Sequence, residues 1–176
     1  MAGRAKRSNP AADAPELPAG SQGAHILIIE APYYEAISAE LAAGAIAELE
    51  AAQATFERIV VPGALEIPQA LAQAVKADLI GSDDASARFD GCVVLGCVIR
   101  GETSHYDIVC NNANHWLMQV AVGHAIPLGN AILTVDTEAQ AMERARGGRK
   151  GKGADAVRAC LTLVALDRAF ADEEPQ

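Results

Sequence analysis

The sequence predicts an α/β fold in which a four-stranded parallel sheet is flanked by helices on both faces. Two observations carry this expectation. Four short apolar runs rich in Val, Ile and Leu alternate with longer segments of helical period, and strands joined through helices require right-handed crossovers and parallel pairing. In composition, 51% of the 176 residues are apolar, largely through alanine, but only 4% are aromatic. That balance favours close-packed helices over an aromatic-rich sandwich. The length fits a single domain able to bury one core.

HILIIE, residues 25–30, reads as the first strand. The Ala- and Leu-rich segment 35–52 that follows Pro32 reads as a helix. FERIVV, 56–61, is a second strand stopped by Pro62 and Gly63. Segment 66–77 is a helix with Ile67, Leu71 and Val75 on one face, and the polar stretch GSDDASAR, 81–88, is a surface loop. GCVVLGCVI, 91–99, begins at a glycine and is too short for a helix, so it is a buried strand. A helix over 107–123 follows, and Pro127 to Gly129 lead into a fourth strand at 131–135. Asp136 or Thr137 can cap a helix over 139–146, and the basic, glycine-rich loop GGRKGKG, 147–153, separates it from a last amphipathic helix over 154–171. The order βαβαβαβαα describes a doubly wound, flavodoxin-like three-layer sandwich. The domain is expected over 24–171, between a flexible N-terminal tail, 1–23, and a short C-terminal tail, 172–176.

A formal net charge of -9 argues against a nucleic-acid surface, which needs a basic stripe. No apolar run reaches the length of a membrane span and no signal-peptide core precedes the domain, so no membrane partner is expected and the location is cytoplasmic. Cys92, Cys97, Cys110 and Cys160 form no CxxC pair and no grouping with His. They read as small buried hydrophobes in a reducing compartment, with neither a disulfide framework nor a metal site.

In such sheets ligands bind at the carboxyl ends of the strands. There the chain offers Tyr33 and Tyr34, the segment Pro62 to Glu66, the run RGETSH at 100–105, and Asp136 with Thr137. His105 is the proton-transfer candidate, since imidazole titrates near neutrality and this one stands in a strand-to-helix loop beside Asp107. His25, His115 and His124 have no such company. Thr103 and the amides around it precede a helix, where the dipole and unpaired N–H groups attract phosphate. Arg144 and Lys152 are cations that can complete an anion site, and Tyr33 offers a face for a planar heterocycle. No GxGxxG follows the first strand, GGRKGKG lacks the GxxxxGK[ST] spacing, and no GxSxG is present.

VPGALEIPQA at 61–70, GCVIRGETSHYDIVCN at 96–111 and ILTVDTEAQAMERA at 132–145 together resemble 6,7-dimethyl-8-ribityllumazine synthase. The likeness spans about 26–170, with the motifs in the family's order. It implies condensation of 5-amino-6-(D-ribitylamino)uracil with 3,4-dihydroxy-2-butanone 4-phosphate, the penultimate step of riboflavin biosynthesis, with no cofactor. By this resemblance His105 is the proton-transfer residue. Tyr33 lies against the pyrimidine; Ala64, Leu65 and Glu66 meet the ribityl chain; Cys97, Val98 and Ile99 line the pyrimidine pocket, and Asn130 and Lys152 belong to the same pyrimidine and ribityl set. Glu102 and Thr103 form the phosphate turn, with Arg144 as its cationic partner. The family further implies a homo-oligomer, a pentamer at least, with sites at subunit interfaces. Two departures stand out: Asn130 occupies a place where many members carry an aromatic from the adjacent subunit, and Tyr34 replaces a common asparagine. The alternative is a non-catalytic flavin- or lumazine-binding shell protein on the same fold.

Overall fold

The computed structural model describes residues 20–81 and 87–172. Most of the expected N-terminal tail, the middle of the polar loop expected at 81–88, and the end of the chain beyond 172 lie outside the described residues. Strands β1 (His25–Glu30), β2 (Thr55–Val60), β3 (Gly91–Ile99) and β4 (Leu128–Val135) form one parallel sheet in the order β2-β1-β3-β4. The helices are α1 (Glu35–Ala51), α2 (Glu66–Lys76), α3 (His105–Gly123), α4 (Glu138–Ala145) and α5 (Lys152–Asp172), with a 3-10 turn at Gly148–Lys150. This is the α/β sandwich expected from the alternation of periods.

Right-handed crossovers decide which face each helix covers. The step from β1 to β2 runs one way across the sheet and the later steps run the other, so α1 is on the opposite face from α2 and α3. Ile26, Ile28, Val93, Leu95 and Leu133 pack with α1, α4 and α5, whereas the alternate residues Leu27, Ile29, Cys92, Val94 and Ile132 pack with α2 and α3. Strands buried on both faces read as continuous apolar runs, which is why β1 and β3 were plain in the sequence. β2 is one of the two edge strands and leaves Val60 64% exposed.

Three boundaries differ from expectation by two residues or more. β4 begins three residues earlier, at Leu128, because Gly129 lets α5 lie directly on the strand: a Cβ there would stand 2.0 Å from the Ala156 carbonyl oxygen. α5 begins at Lys152, two residues early, and Gly153 permits a similar approach, since its Cβ would meet the Leu41 carbonyl oxygen at 2.0 Å. α3 begins at His105 rather than Asp107, so the histidine opens the helix. Among the described residues no helix is long and apolar enough to cross a membrane.

Candidate active site

The carboxyl ends of β1, β2 and β3 open into a cleft of about 320 Å³. It lies where the chain leaves β1 toward β2 on one side while β3 stands on the other, the switch point at which doubly wound sheets bind ligands. Tyr33 and Tyr34 enter from the end of β1, Ala64, Leu65 and Glu66 from the β2–α2 turn, and Cys97, Val98 and Ile99 from the end of β3. Thr103 and His105 face it from the α3 entry. Nine of the expected residues thus converge from four places in the chain.

The cleft has an aromatic rim and an apolar floor. The Tyr33 ring is 71% exposed and packs edge-on against Tyr34, their centroids 5.1 Å apart at 69°. One face of Tyr33 is therefore available to a planar ring. Burial, with the Cys97 thiol next in effect, raises the Tyr34 hydroxyl above its usual range, and burial pushes the Cys97 thiol up to about 11. Both are neutral donors or walls at physiological pH, not nucleophiles.

The opposite rim is the start of α3. Thr103 Oγ1 accepts the backbone N–H of His105 at 3.4 Å, and the amides of Asp107 and Ile108 donate to the Ser104 carbonyl oxygen at 3.1 and 3.4 Å, so the turn 103–106 forms the positive end of the α3 dipole. Asp107, expected as the companion of His105, is engaged elsewhere. The Arg100 guanidinium donates to its two carboxylate oxygens at 3.3 and 3.5 Å, donates through Nε to Asp136 at 3.0 Å, and lies 4.1 Å from the centroid of Tyr106. These two carboxylates raise the Arg100 pKa, hydrogen bonding to Asp107 first. One side chain thereby ties the α3 entry to the end of β4, leaving the His105 imidazole exposed at the mouth of the cleft.

Arg100 and Tyr106 were not singled out from the sequence, although both lie inside the RGETSHYD motif; Tyr106 lines the cleft and Arg100 braces it. Four expected residues do not line the cleft of their own chain. Glu102 is exposed on the turn beside it. Asn130 points to Asn114, Arg144 donates to the Gln140 carbonyl oxygen of its own helix at 3.0 Å, and Lys152 pairs with Asp155 at 2.5 Å.

The family model described as 6,7-dimethyl-8-ribityllumazine synthase matches residues 23–168. A protein of that name from Methylocella silvestris is 54% identical over 153 residues, covering 87% of this chain and 91% of the relative. Its counterpart in Azorhizobium caulinodans is 53% identical over 146 residues, covering 83% and 88%. That of Xanthobacter autotrophicus is 51% identical over 162 residues, covering 92% and 95%.

Proposed function

Since the chain belongs to the 6,7-dimethyl-8-ribityllumazine synthase family, we propose that the cleft at the β1–β3 switch point is where it joins 5-amino-6-(D-ribitylamino)uracil to 3,4-dihydroxy-2-butanone 4-phosphate. The product is 6,7-dimethyl-8-ribityllumazine, released with phosphate and water, and the step is the penultimate one of riboflavin biosynthesis. The observation that carries the assignment of the site is the juxtaposition of an exposed aromatic face, Tyr33, with a histidine-bearing helix start across an apolar floor.

In this reading the pyrimidine lies on Tyr33 above Cys97, Val98 and Ile99, and the ribityl chain runs toward Ala64, Leu65 and Glu66. The substrate phosphate is held at Thr103 and the first amides of α3, with Glu102 on the same turn. The amine attacks the ketone to give an imine, phosphate leaves by elimination, and ring closure with loss of water completes the lumazine. Each step moves a proton near neutral pH, which His105 serves, while positioning of the two substrates supplies much of the rate.

The site is completed by a second copy of the chain in a cyclic homo-oligomer, a pentamer at least, with Asn130, Arg144 and Lys152 presented to the neighbour's cleft. Two facts support this. All three residues are exposed and none lines its own chain's cleft, and large apolar side chains such as Val122, at 74%, and Phe170, at 67%, are left open on the single chain. Four free cysteines suit a reducing cytoplasm. Mixing the two substrates with the enzyme and following lumazine fluorescence tests the proposal. Tight flavin binding without product would favour the non-catalytic shell protein instead.

A further inference from the structure

Among the described residues Glu48 is the most deeply buried charged side chain, at 1% exposure on the inner face of α1. A carboxylate so placed persists only when fully paired. Arg149 donates to it through Nε at 2.7 Å and through the second arm at 3.4 Å, and Arg158 approaches at 3.0 Å. Arg158, 12% exposed, also donates to the Arg149 carbonyl oxygen at 3.0 Å and to Asp155 Oδ1 at 2.6 Å. The other oxygen of Asp155 accepts from Lys152 Nζ at 2.5 Å. Burial raises the Asp155 pKa, but hydrogen bonds from Lys152 and Arg158 outweigh it and hold the carboxyl below its usual value.

A second, independent observation concerns the backbone. Leu41, Gly44 and Glu48 lie on one face of α1. A Cβ on Gly44 would stand 2.8 Å from the Gly148 carbonyl oxygen, and one on Gly153 would stand 2.0 Å from that of Leu41. The glycine-rich segment is therefore laid against α1 at Leu41 and Gly44, within two turns of the buried carboxylate, and Lys152 at its end opens α5.

We infer that Glu48 is a positioning residue: acting through Arg158 and Asp155, it fixes Lys152 in the orientation in which that ammonium is offered to the pyrimidine and ribityl groups in a neighbouring chain's cleft. The inference rests on the reading of Lys152 given under Proposed function. Glu48 touches no substrate. Its effect is to hold rigid a lysine that would otherwise sample many rotamers, so that less order must be imposed when substrate binds.

Steady-state kinetics of the assembled enzyme separate the two claims. Lys152→Ala raises the KM for the ribitylaminouracil if the lysine is in the site; an unchanged KM removes Lys152 from the site and the inference with it. Asp155→Asn and Glu48→Gln are expected to raise that same KM by about two- to tenfold with kcat held within a factor of about two, because only part of a charge-assisted contact is lost. In the Lys152→Ala background Asp155→Asn should add nothing, a coupling that general loss of stability does not produce. Should Glu48→Gln fail to assemble, Arg158→Lys reads the same link, since an ammonium keeps the charge but does not span two carboxylates as the guanidinium fork does. The inference is overturned if Lys152→Ala raises KM while Asp155→Asn with Glu48→Gln or Arg158→Lys leaves it at the wild-type value, or if Asp155→Asn acts equally in both backgrounds.

Discussion

Asn130 donates its side-chain amide to Asn114 Oδ1 at 2.8 Å, while its own Oδ1 accepts the backbone N–H of Ile132 at 2.8 Å. Both ends of the side chain are thus engaged within one chain. In the proposed shared site this position faces the neighbouring subunit's cleft, and here it carries a short polar side chain in place of the aromatic that the family resemblance implies.

Restoring an aromatic should therefore tighten binding. Asn130→Phe is expected to lower the KM for ribitylaminouracil by about two- to tenfold, the equivalent of an aromatic pair worth roughly 0.5–1.5 kcal/mol, with little change in kcat. Kinetics at saturating butanone phosphate check this, and an unchanged or higher KM would show that residue 130 does not face the heterocycle.

Arg144→Ala should act on the other substrate. A charge-assisted bond to phosphate is worth roughly 1.5–3 kcal/mol, so the KM for the butanone phosphate should rise by about ten- to a hundredfold while that for the pyrimidine hardly moves. Titration with inorganic phosphate checks the contact directly, and equal affinities in both proteins would exclude it.

If the site is shared between subunits, two crippled variants should rescue each other. His105→Ala and Arg144→Ala chains, unfolded together in equal amounts and reassembled, leave about one site in four with both residues intact. Activity should recover toward about 25% of wild type, provided each variant alone is nearly inactive. Recovery no greater than the mean of the two variants, with mixing verified by mass, would place the whole site within one chain.

Alkaline pH should weaken the fold. Burial pushes the Cys97 thiol up to about 11 and the Cys160 thiol up to about 12, and raises Cys92 well above its ordinary 9.0; Tyr34 and Tyr106 are raised in the same sense. These groups are neutral in the folded chain where the unfolded chain has already ionised. The unfolded state then binds fewer protons, so this contribution is complete below the ordinary value and is lost progressively above it, through 11 and 12. Urea midpoints measured from neutrality to pH ~10.5 should fall above pH ~9, and fall less steeply in Cys160→Ala. A flat profile would contradict the burial of these thiols.

What was legible in the sequence follows from how local each signal is. β3 and its loop could be read because a strand buried on both faces is continuously apolar and its polar residues then collect at one end. Tyr33, Ala64, Leu65, Glu66, Thr103 and His105 were legible because each sits in a loop leaving a strand end, where position implies the site, whereas Cys97, Val98 and Ile99 lie within β3 and were implied by the family resemblance alone. Arg100 was passed over because its task is set by Asp136, 36 residues away. Glu48 gave no signal at all. One Glu among several in an alanine-rich helix looks solvated, and only the fold brings it to Arg149, 101 residues on. Gly129 and Gly153 lowered the apparent strand and helix propensity of their segments, although their absent side chains are what allow α5 its close approach.

The central claim is that His105 moves protons for lumazine formation in this cleft, and steady-state kinetics of the wild type and His105→Ala test it most directly. The account predicts that kcat falls by about ten- to a thousandfold while both KM values stay within a factor of about three, with residual turnover sustained by positioning of the substrates. A His105→Ala enzyme that forms lumazine at the wild-type rate would contradict it.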